Sequence, residues 1–153
     1  MATVLFVCLH NAGRSQMSQA LFEHAAEGRH QALSAGTTPA ERVHPEVIEA
    51  MTELGIDLSE RKPQLLTPGL AEQADVVVTM GCGDACPIMP GKRHIDWDLP
   101  DPRGRPLAEI RVTRDEIAQR VESLIADLDK AAAARRTAID DPRADDVCEQ
   151  RGT

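Results

Sequence analysis

Two short, continuous apolar runs restrict the possible folds of this chain more than any other feature. They are residues 3–7 (TVLFV) and residues 75–79 (DVVVT), and both are rich in β-branched side chains. Strands with so few polar positions are buried on both faces, which is typical of a parallel sheet that is covered by helices. We therefore expect an α/β fold in which strands alternate with helices.

Other segments carry the spacing or the end signals of helices and strands. Three helices are predicted at residues 15–26, at residues 45–54 with Gly55 after them, and from Thr67 and Pro68 onward. A last helix begins with capping-box spacing at Thr113 and Glu116. Its apolar stripe consists of Ile117, Val121, Leu124, Ile125 and Leu128. Residues 31–35 and 94–99 are the candidate second and fourth strands. The alternation predicts one doubly wound α/β domain at residues 1–134 and a polar, flexible tail at residues 135–153.

Composition and charge argue against several classes of partner. The chain has 153 residues, 42% of them hydrophobic, and a net charge of −8, so nucleic acid and anionic membranes are not expected partners. An anionic substrate would need a local positive site. No apolar run approaches the length of a membrane span, and residues 1–8 lack the pattern of a secretory signal, so we expect a cytoplasmic protein. Structural disulfides are rare in the cytoplasm. Each of the four cysteines is therefore either a reactive thiol or a small hydrophobic residue of the core.

The segment after the first apolar run has the pattern of an anion-binding loop. Cys8 and Arg14 are separated by Leu9, His10, Asn11, Ala12 and Gly13, and Ser15 follows as a helix begins. Such a loop can curl around a tetrahedral oxyanion with its N–H groups inward, the helix N-terminus adds partial positive charge, and Arg14 offers two parallel donors. Gly13 permits a tight backbone conformation.

The same positive field favours Cys8 as a thiolate nucleophile, and Ser15 can donate a hydrogen bond to its sulfur. The alternative is a buried cysteine that is followed by a surface arginine. A second group of thiols is Cys82 and Cys86 in GCGDACP, and they lie one turn apart if the segment is helical, near the upper limit for a disulfide. Burial of one of them is an alternative, and a zinc site is poorly supported because no second cysteine pair follows.

Several motifs occur here in the order found in one known family. The string VLFVCLHNAGRSQMSQA resembles the phosphate-binding loop of the low-molecular-weight protein tyrosine phosphatase superfamily, and most of all that of its arsenate reductases. The motifs SAGT and VTMGC follow the second and third predicted strands. The resemblance implies a four-stranded parallel sheet with helices on both faces, substrate binding by residues 9–15, and catalysis by Cys8 and Arg14.

The resemblance also implies a general acid, which in the family is an aspartate directly before a proline. In WDLPDP that residue is Asp101, whereas Asp98 precedes leucine and fits less well. Without the resemblance, Asp-Pro is an ordinary turn pattern. Arg103 stands where the phosphatases commonly have an aromatic residue, and the chain contains no tyrosine, which speaks against a phosphotyrosine substrate.

The implied activity is reduction of arsenate to arsenite for arsenic detoxification, through a relay in which Cys82 and Cys86 follow Cys8. The expected partner is thioredoxin, or a low-molecular-weight thiol such as mycothiol with its redoxin, and no cofactor or metal is expected. The family's relay cysteines are usually farther apart than Cys82 and Cys86. Cys148 has no expected catalytic role. Two alternatives stay open: a phosphatase that uses Cys8, Arg14 and Asp101, and a non-catalytic oxyanion-binding or redox-sensing module.

Overall fold

A computed structural model describes residues 2–80 and 92–140, with side chains as far as residue 134. Cys82, Cys86 and Cys148 lie outside the described residues. The strands are β1 (Thr3–Cys8), β2 (Gln31–Gly36), β3 (Val76–Met80) and β4 (Arg93–Asp96), and the helices are α1 (Arg14–Ala26), α2 (Pro45–Thr52), α3 (Pro68–Gln73) and α4 (Leu107–Asp140). Within these ranges, no helix has the length and apolar character needed to cross a membrane.

The four strands form one parallel sheet in the order β2-β1-β3-β4. The predicted four-stranded parallel sheet is therefore confirmed. Cys8, the last residue of β1, is in register with Gly36 of β2 and with Met80 of β3. Because the carboxyl ends of parallel strands share one edge, where ligands bind in this class of fold, the chain segments that follow these three residues start side by side.

Helices cover both faces of the sheet, as expected. On one face, Val4 and Phe6 belong to a core that also contains buried residues of α1, α2 and α4. On the other face, Leu5 and Val77 pack with residues of α3 and its flanks. The few aromatic side chains are concentrated on the first face, where the ring of Phe6 lies 5.7 Å from that of Phe22 and 5.8 Å from that of Trp97.

The last helix differs from its prediction at both ends. It begins at Leu107, so Thr113 is buried inside the helix instead of capping it. Burial of Ile110 extends the apolar stripe by a turn toward the N-terminus, and this tertiary packing overrides the local capping pattern. At the other end the helix continues to Asp140, so residues 135–140 of the predicted tail are helical. The run of alanine and arginine there favours helix although its polarity ends the apolar stripe.

Candidate active site

Residues 9–13 connect Cys8 to α1 in a loop whose carbonyl groups point outward. The carbonyls of Cys8, Leu9, His10 and Ala12 accept hydrogen bonds from the backbone N–H groups of Thr37, Thr38, Ala40 and His44, at 3.3, 2.8, 2.9 and 3.0 Å. In a trans peptide the C=O and the following N–H point in opposite directions. The N–H groups that follow these four carbonyls therefore face the inside of the loop, which is the arrangement that holds an oxyanion.

Asn11 makes the sharpest turn of this loop. Its φ of 50° lies in the left-handed region, which asparagine tolerates better than most residues. This conformation directs the Asn11 N–H toward the sulfur of Cys8, at 3.2 Å. Asn11 is completely buried, so its side chain is also part of the site.

Gly13 lies where the loop meets the segment that contains Pro102. Its φ is −143°, outside the left-handed region, so the left-handed turn is made by Asn11 and not by Gly13. A Cβ atom at Gly13 would instead collide with the ring of Pro102 and lie 3.6 Å from Cδ2 of His44. Gly13 thus provides space, which lets the segment containing Asp101 approach the loop.

Gly36 provides space on the opposite side of the loop. A Cβ atom there would come within 2.9 Å of two backbone atoms, the nitrogen of Asn11 and the carbonyl oxygen of Leu9. Backbone atoms cannot rotate away as a side-chain end can. The end of β2 therefore packs directly against the loop, and a larger residue at position 36 would deform it.

Cys8 lies at the base of the loop and is 2% exposed. Its Sγ is 2.8 Å from Oγ of the fully buried Ser15 and accepts the N–H of Asn11. Donors that point at a sulfur stabilise negative charge on it. The environment therefore suits a thiolate nucleophile at the centre of an anion-binding loop.

Arg14 joins this loop to the segment before α4. It is buried, its Nη1 donates to the carbonyl oxygen of Leu99 at 3.2 Å, and its Nη2 lies 3.9 Å from Oδ2 of Asp101. A guanidinium group has five N–H donors, so the bond to Leu99 leaves others for an anion. The bond also fixes the plane of the guanidinium group.

Of the two candidate acids, the structure brings Asp101 to the loop. Its side chain is 41% exposed, and its Oδ1 accepts the N–H of Arg103 at 3.0 Å, which stabilises a short turn around Pro102. Asp98 is exposed and forms no hydrogen bond or ion pair within the described residues. Asp101 can therefore meet a ligand that Arg14 holds.

One histidine belongs to the loop and a second lies beside it. His10 donates its Nδ1–H to the carbonyl oxygen of Thr38 at 3.1 Å. Partial burial lowers the pKa of His44 below 6.5, although the nearby carboxylates of Asp101 and Glu46 oppose this effect. The imidazole beside Gly13 is therefore mainly uncharged at neutral pH. Sequence reasoning missed His44, since no local pattern distinguishes it.

Comparisons with known proteins identify the family of this chain. The model of the family described as low molecular weight phosphotyrosine protein phosphatase matches residues 3–134. Arsenate reductase 2 of Staphylococcus haemolyticus is 39% identical over 127 residues, covering 79% of this chain and 94% of that protein. The glutaredoxin arsenate reductase of Synechocystis sp. is 37% identical over 129 residues, covering 82% and 98%.

Among solved structures, a thioredoxin-dependent arsenate reductase of Corynebacterium glutamicum superimposes with a TM-score of 0.73 at 38% identity. The match covers 86% of this chain but 63% of that longer one. The family model matches a range that includes the loop at Cys8 and Arg14, and both curated relatives cover most of this chain. The chain therefore belongs to the low molecular weight phosphotyrosine protein phosphatase family.

Proposed function

We propose that this protein reduces arsenate to arsenite and serves arsenic detoxification in the cytoplasm. The observation that carries the proposal is the buried sulfur of Cys8, which accepts the N–H of Asn11 and lies 2.8 Å from Oγ of Ser15, at the base of a loop with inward N–H groups and a fixed Arg14. The relatives named arsenate reductases favour arsenate as the oxyanion.

The first step uses the three groups that the fold brings together. Arsenate resembles phosphate in charge and shape, so the loop and the parallel donors of Arg14 bind it. The Cys8 thiolate attacks arsenic and an S–As bond forms. An As–O bond breaks, and Asp101 supplies the proton that lets the oxygen leave as water. The product is a covalent Cys8–arsenate adduct in which arsenic is still As(V).

The second step reduces the arsenic. The Cys82 thiolate attacks Sγ of Cys8, an S–S bond forms, and the S–As bonding pair passes to arsenic, which leaves as arsenite. Cys86 then attacks Cys82, which frees Cys8 and leaves a Cys82–Cys86 disulfide. Cys82 and Cys86 lie outside the described residues, so their roles rest on the sequence. The register of Met80 beside Cys8 supports them, because Cys82 is two residues farther along the chain.

A dithiol partner must reduce the Cys82–Cys86 disulfide to complete the cycle. We propose a redoxin for this role, with thioredoxin as the first candidate, since the Corynebacterium relative is thioredoxin-dependent. Glutaredoxin with glutathione, or mycothiol with its redoxin, would act by the same exchange chemistry. Reduction by thioredoxin requires that the enzyme first form an internal disulfide, whereas a small thiol can react with the Cys8–arsenate adduct directly.

The test measures arsenite release with each reductant under anaerobic conditions, with Cys8→Ser as the inactive control. We expect turnover with thioredoxin and its reductase, and no turnover in Cys8→Ser. Aryl-phosphate hydrolysis without arsenite release would identify a phosphatase that uses Cys8, Arg14 and Asp101. Phosphate binding with neither activity would identify a non-catalytic oxyanion-binding module.

A further inference from the structure

The side chain of Asn11 lies between two donors behind the loop. Its Oδ1 accepts the backbone N–H of Gln64 at 2.9 Å and the side-chain Nε2 of Gln16 at 3.1 Å. A backbone N–H can only donate, so the atom that faces Gln64 has to be the amide oxygen. The orientation of the Asn11 amide is therefore determined by its partners.

This orientation sets the direction of the hydrogen bonds that lead to Cys8. With its oxygen toward Gln16 and Gln64, Asn11 presents Nδ2 to Oγ of Ser15 at 2.7 Å and donates to it. Ser15 then uses its own hydroxyl hydrogen for Sγ of Cys8, 2.8 Å away. The chain of donors runs from Gln16 through Asn11 and Ser15 to the sulfur.

Gln16 is an unusual residue for its position. It lies in the first turn of α1 and is 2% exposed. Its Oε1 has no hydrogen-bond partner in the part of the chain that the structure describes. A buried, unpaired carbonyl is unfavourable, and an apolar residue of similar shape would avoid it. The glutamine is thus present at a cost to stability, which is characteristic of functional sites.

We propose that Gln16 is a positioning residue whose amide N–H, together with the backbone N–H of Gln64, holds Asn11 in the orientation that makes Ser15 a donor to Cys8. The inference rests on the proposed role of Cys8 as the nucleophile. Gln16 forms its hydrogen bond to Asn11 and none to the sulfur of Cys8, so it acts on Cys8 only through Asn11 and Ser15. Its loss should therefore weaken the reactivity of Cys8 while leaving the loop folded.

The experiment compares the wild type with Gln16→Met, which keeps the volume and removes both polar atoms. Alkylation of Cys8 by iodoacetamide is followed across pH by mass spectrometry of the Cys8 peptide, and inorganic phosphate identifies the site by protection. We expect alkylation near neutral pH to be about three- to tenfold slower, which is the factor that one neutral hydrogen bond contributes. The midpoint of the pH profile of alkylation should move upward. Arg14 is unchanged in every variant.

If Gln16 had only a structural role, Gln16→Met would lower the Tm and leave the alkylation rate of Cys8 unchanged. The proposal predicts the opposite result. We expect the Tm of Gln16→Met to equal or exceed that of the wild type, since the unpaired carbonyl is gone. The matched control is Gln19→Met on the same helix, because Gln19 bonds to Ser34 and to the carbonyl of Ala32, outside the chain of donors. This control should alkylate as the wild type does.

A double-mutant cycle with Ser15→Ala tests the route. Once Ser15 has lost its hydroxyl, Gln16→Met should slow alkylation no further. The proposal would be overturned if Gln16→Met alkylates at the wild-type rate, or if its effect adds fully to that of Ser15→Ala. Gln16→Leu replaces Gln16→Met if the methionine variant does not fold. An unreactive Cys8 in the wild type would contradict the proposed function instead.

Discussion

Pro102 lies directly over Gly13, at a point where a Cβ atom on the glycine would collide with the proline ring. The neighbouring Arg14 binds the carbonyl of Leu99 and lies close to Asp101. The anion-binding loop and the segment with the candidate acid are therefore packed against each other. This contact makes the position of Asp101 depend on a residue far from it in sequence.

Replacement of Gly13 by alanine should separate these two segments. We expect kcat for arsenate reduction to fall about tenfold to a hundredfold, because a displacement of about 1 Å in a reacting group has an effect of that order. Steady-state kinetics of Gly13→Ala measure it. Gly69→Ala is the control, since a Cβ atom there has no neighbour nearer than Oγ1 of Thr67 at 4.0 Å. A normal kcat in Gly13→Ala would mean that the contact with Pro102 is unimportant.

Arg14→Lys should impair the enzyme although the charge is kept. Lysine cannot donate two parallel hydrogen bonds to an anion and also hold the carbonyl of Leu99. We expect kcat/KM to fall about tenfold to a hundredfold, the factor that one hydrogen bond to a charged group represents. Arg105→Lys provides the comparison, because Arg105 forms an exposed pair with Glu109 and should tolerate the change. Equal kinetics in the two variants would contradict the proposed clamp.

Asp101→Asn should slow formation of the Cys8–arsenate adduct more than it weakens binding of the anion. Asparagine keeps the shape and the turn but cannot supply the proton. Rapid-quench mass spectrometry gives the rate of adduct formation, and phosphate inhibition gives the binding. Asp98→Asn is the matched control and should behave as the wild type. The reverse result would make Asp98 the acid.

Single-turnover trapping can separate the two relay thiols. Cys82→Ser should accumulate the Cys8–arsenate adduct, whereas Cys86→Ser should accumulate a Cys8–Cys82 disulfide, because each thiol attacks the preceding sulfur. Mass spectrometry of quenched mixtures distinguishes the species. Rescue of Cys82→Ser by a small thiol would favour the mycothiol-type route. Normal turnover of both variants with thioredoxin would exclude the three-cysteine relay.

The ion pairs between α2 and α4 should make stability depend on acid pH. Hydrogen bonds from Arg111, and to a smaller extent from Arg114, lower the pKa of Glu53 from 4.5 to about 2. Because the pKa of Glu53 is lower in the folded than in the unfolded state, its ionised form stabilises the folded protein. This stabilisation is complete above pH 4.5 and is lost as the pH falls from 4.5 through about 2. The Tm difference between wild type and Glu53→Gln should shrink over that range. Glu60→Gln, without an ion pair among the described residues, should show no such trend.

Much of the fold follows from local patterns in the sequence. The apolar runs at residues 3–7 and 75–79 required strands that are buried on both faces, and the structure has them as β1 and β3 of a parallel sheet. The anion-binding loop was predictable for the same reason, because Cys8 and Arg14 are near neighbours between a strand and a helix. The start of α4 was not, since burial of Ile110 outweighs the capping signal at Thr113.

The sequence by itself thus determined the sheet and the place of the loop between Cys8 and Arg14, while the tertiary structure decided how the loop is supported. The bond from Gln64 to Asn11 spans 53 positions, and the bond from Arg14 to Leu99 spans 85. No periodicity or motif contains such pairs. They arise only when the sheet brings the ends of its strands together, so the packing of Gly13 against Pro102, the position of Asp101 beside Arg14 and the bond from Gln16 to Asn11 become visible only in the folded chain.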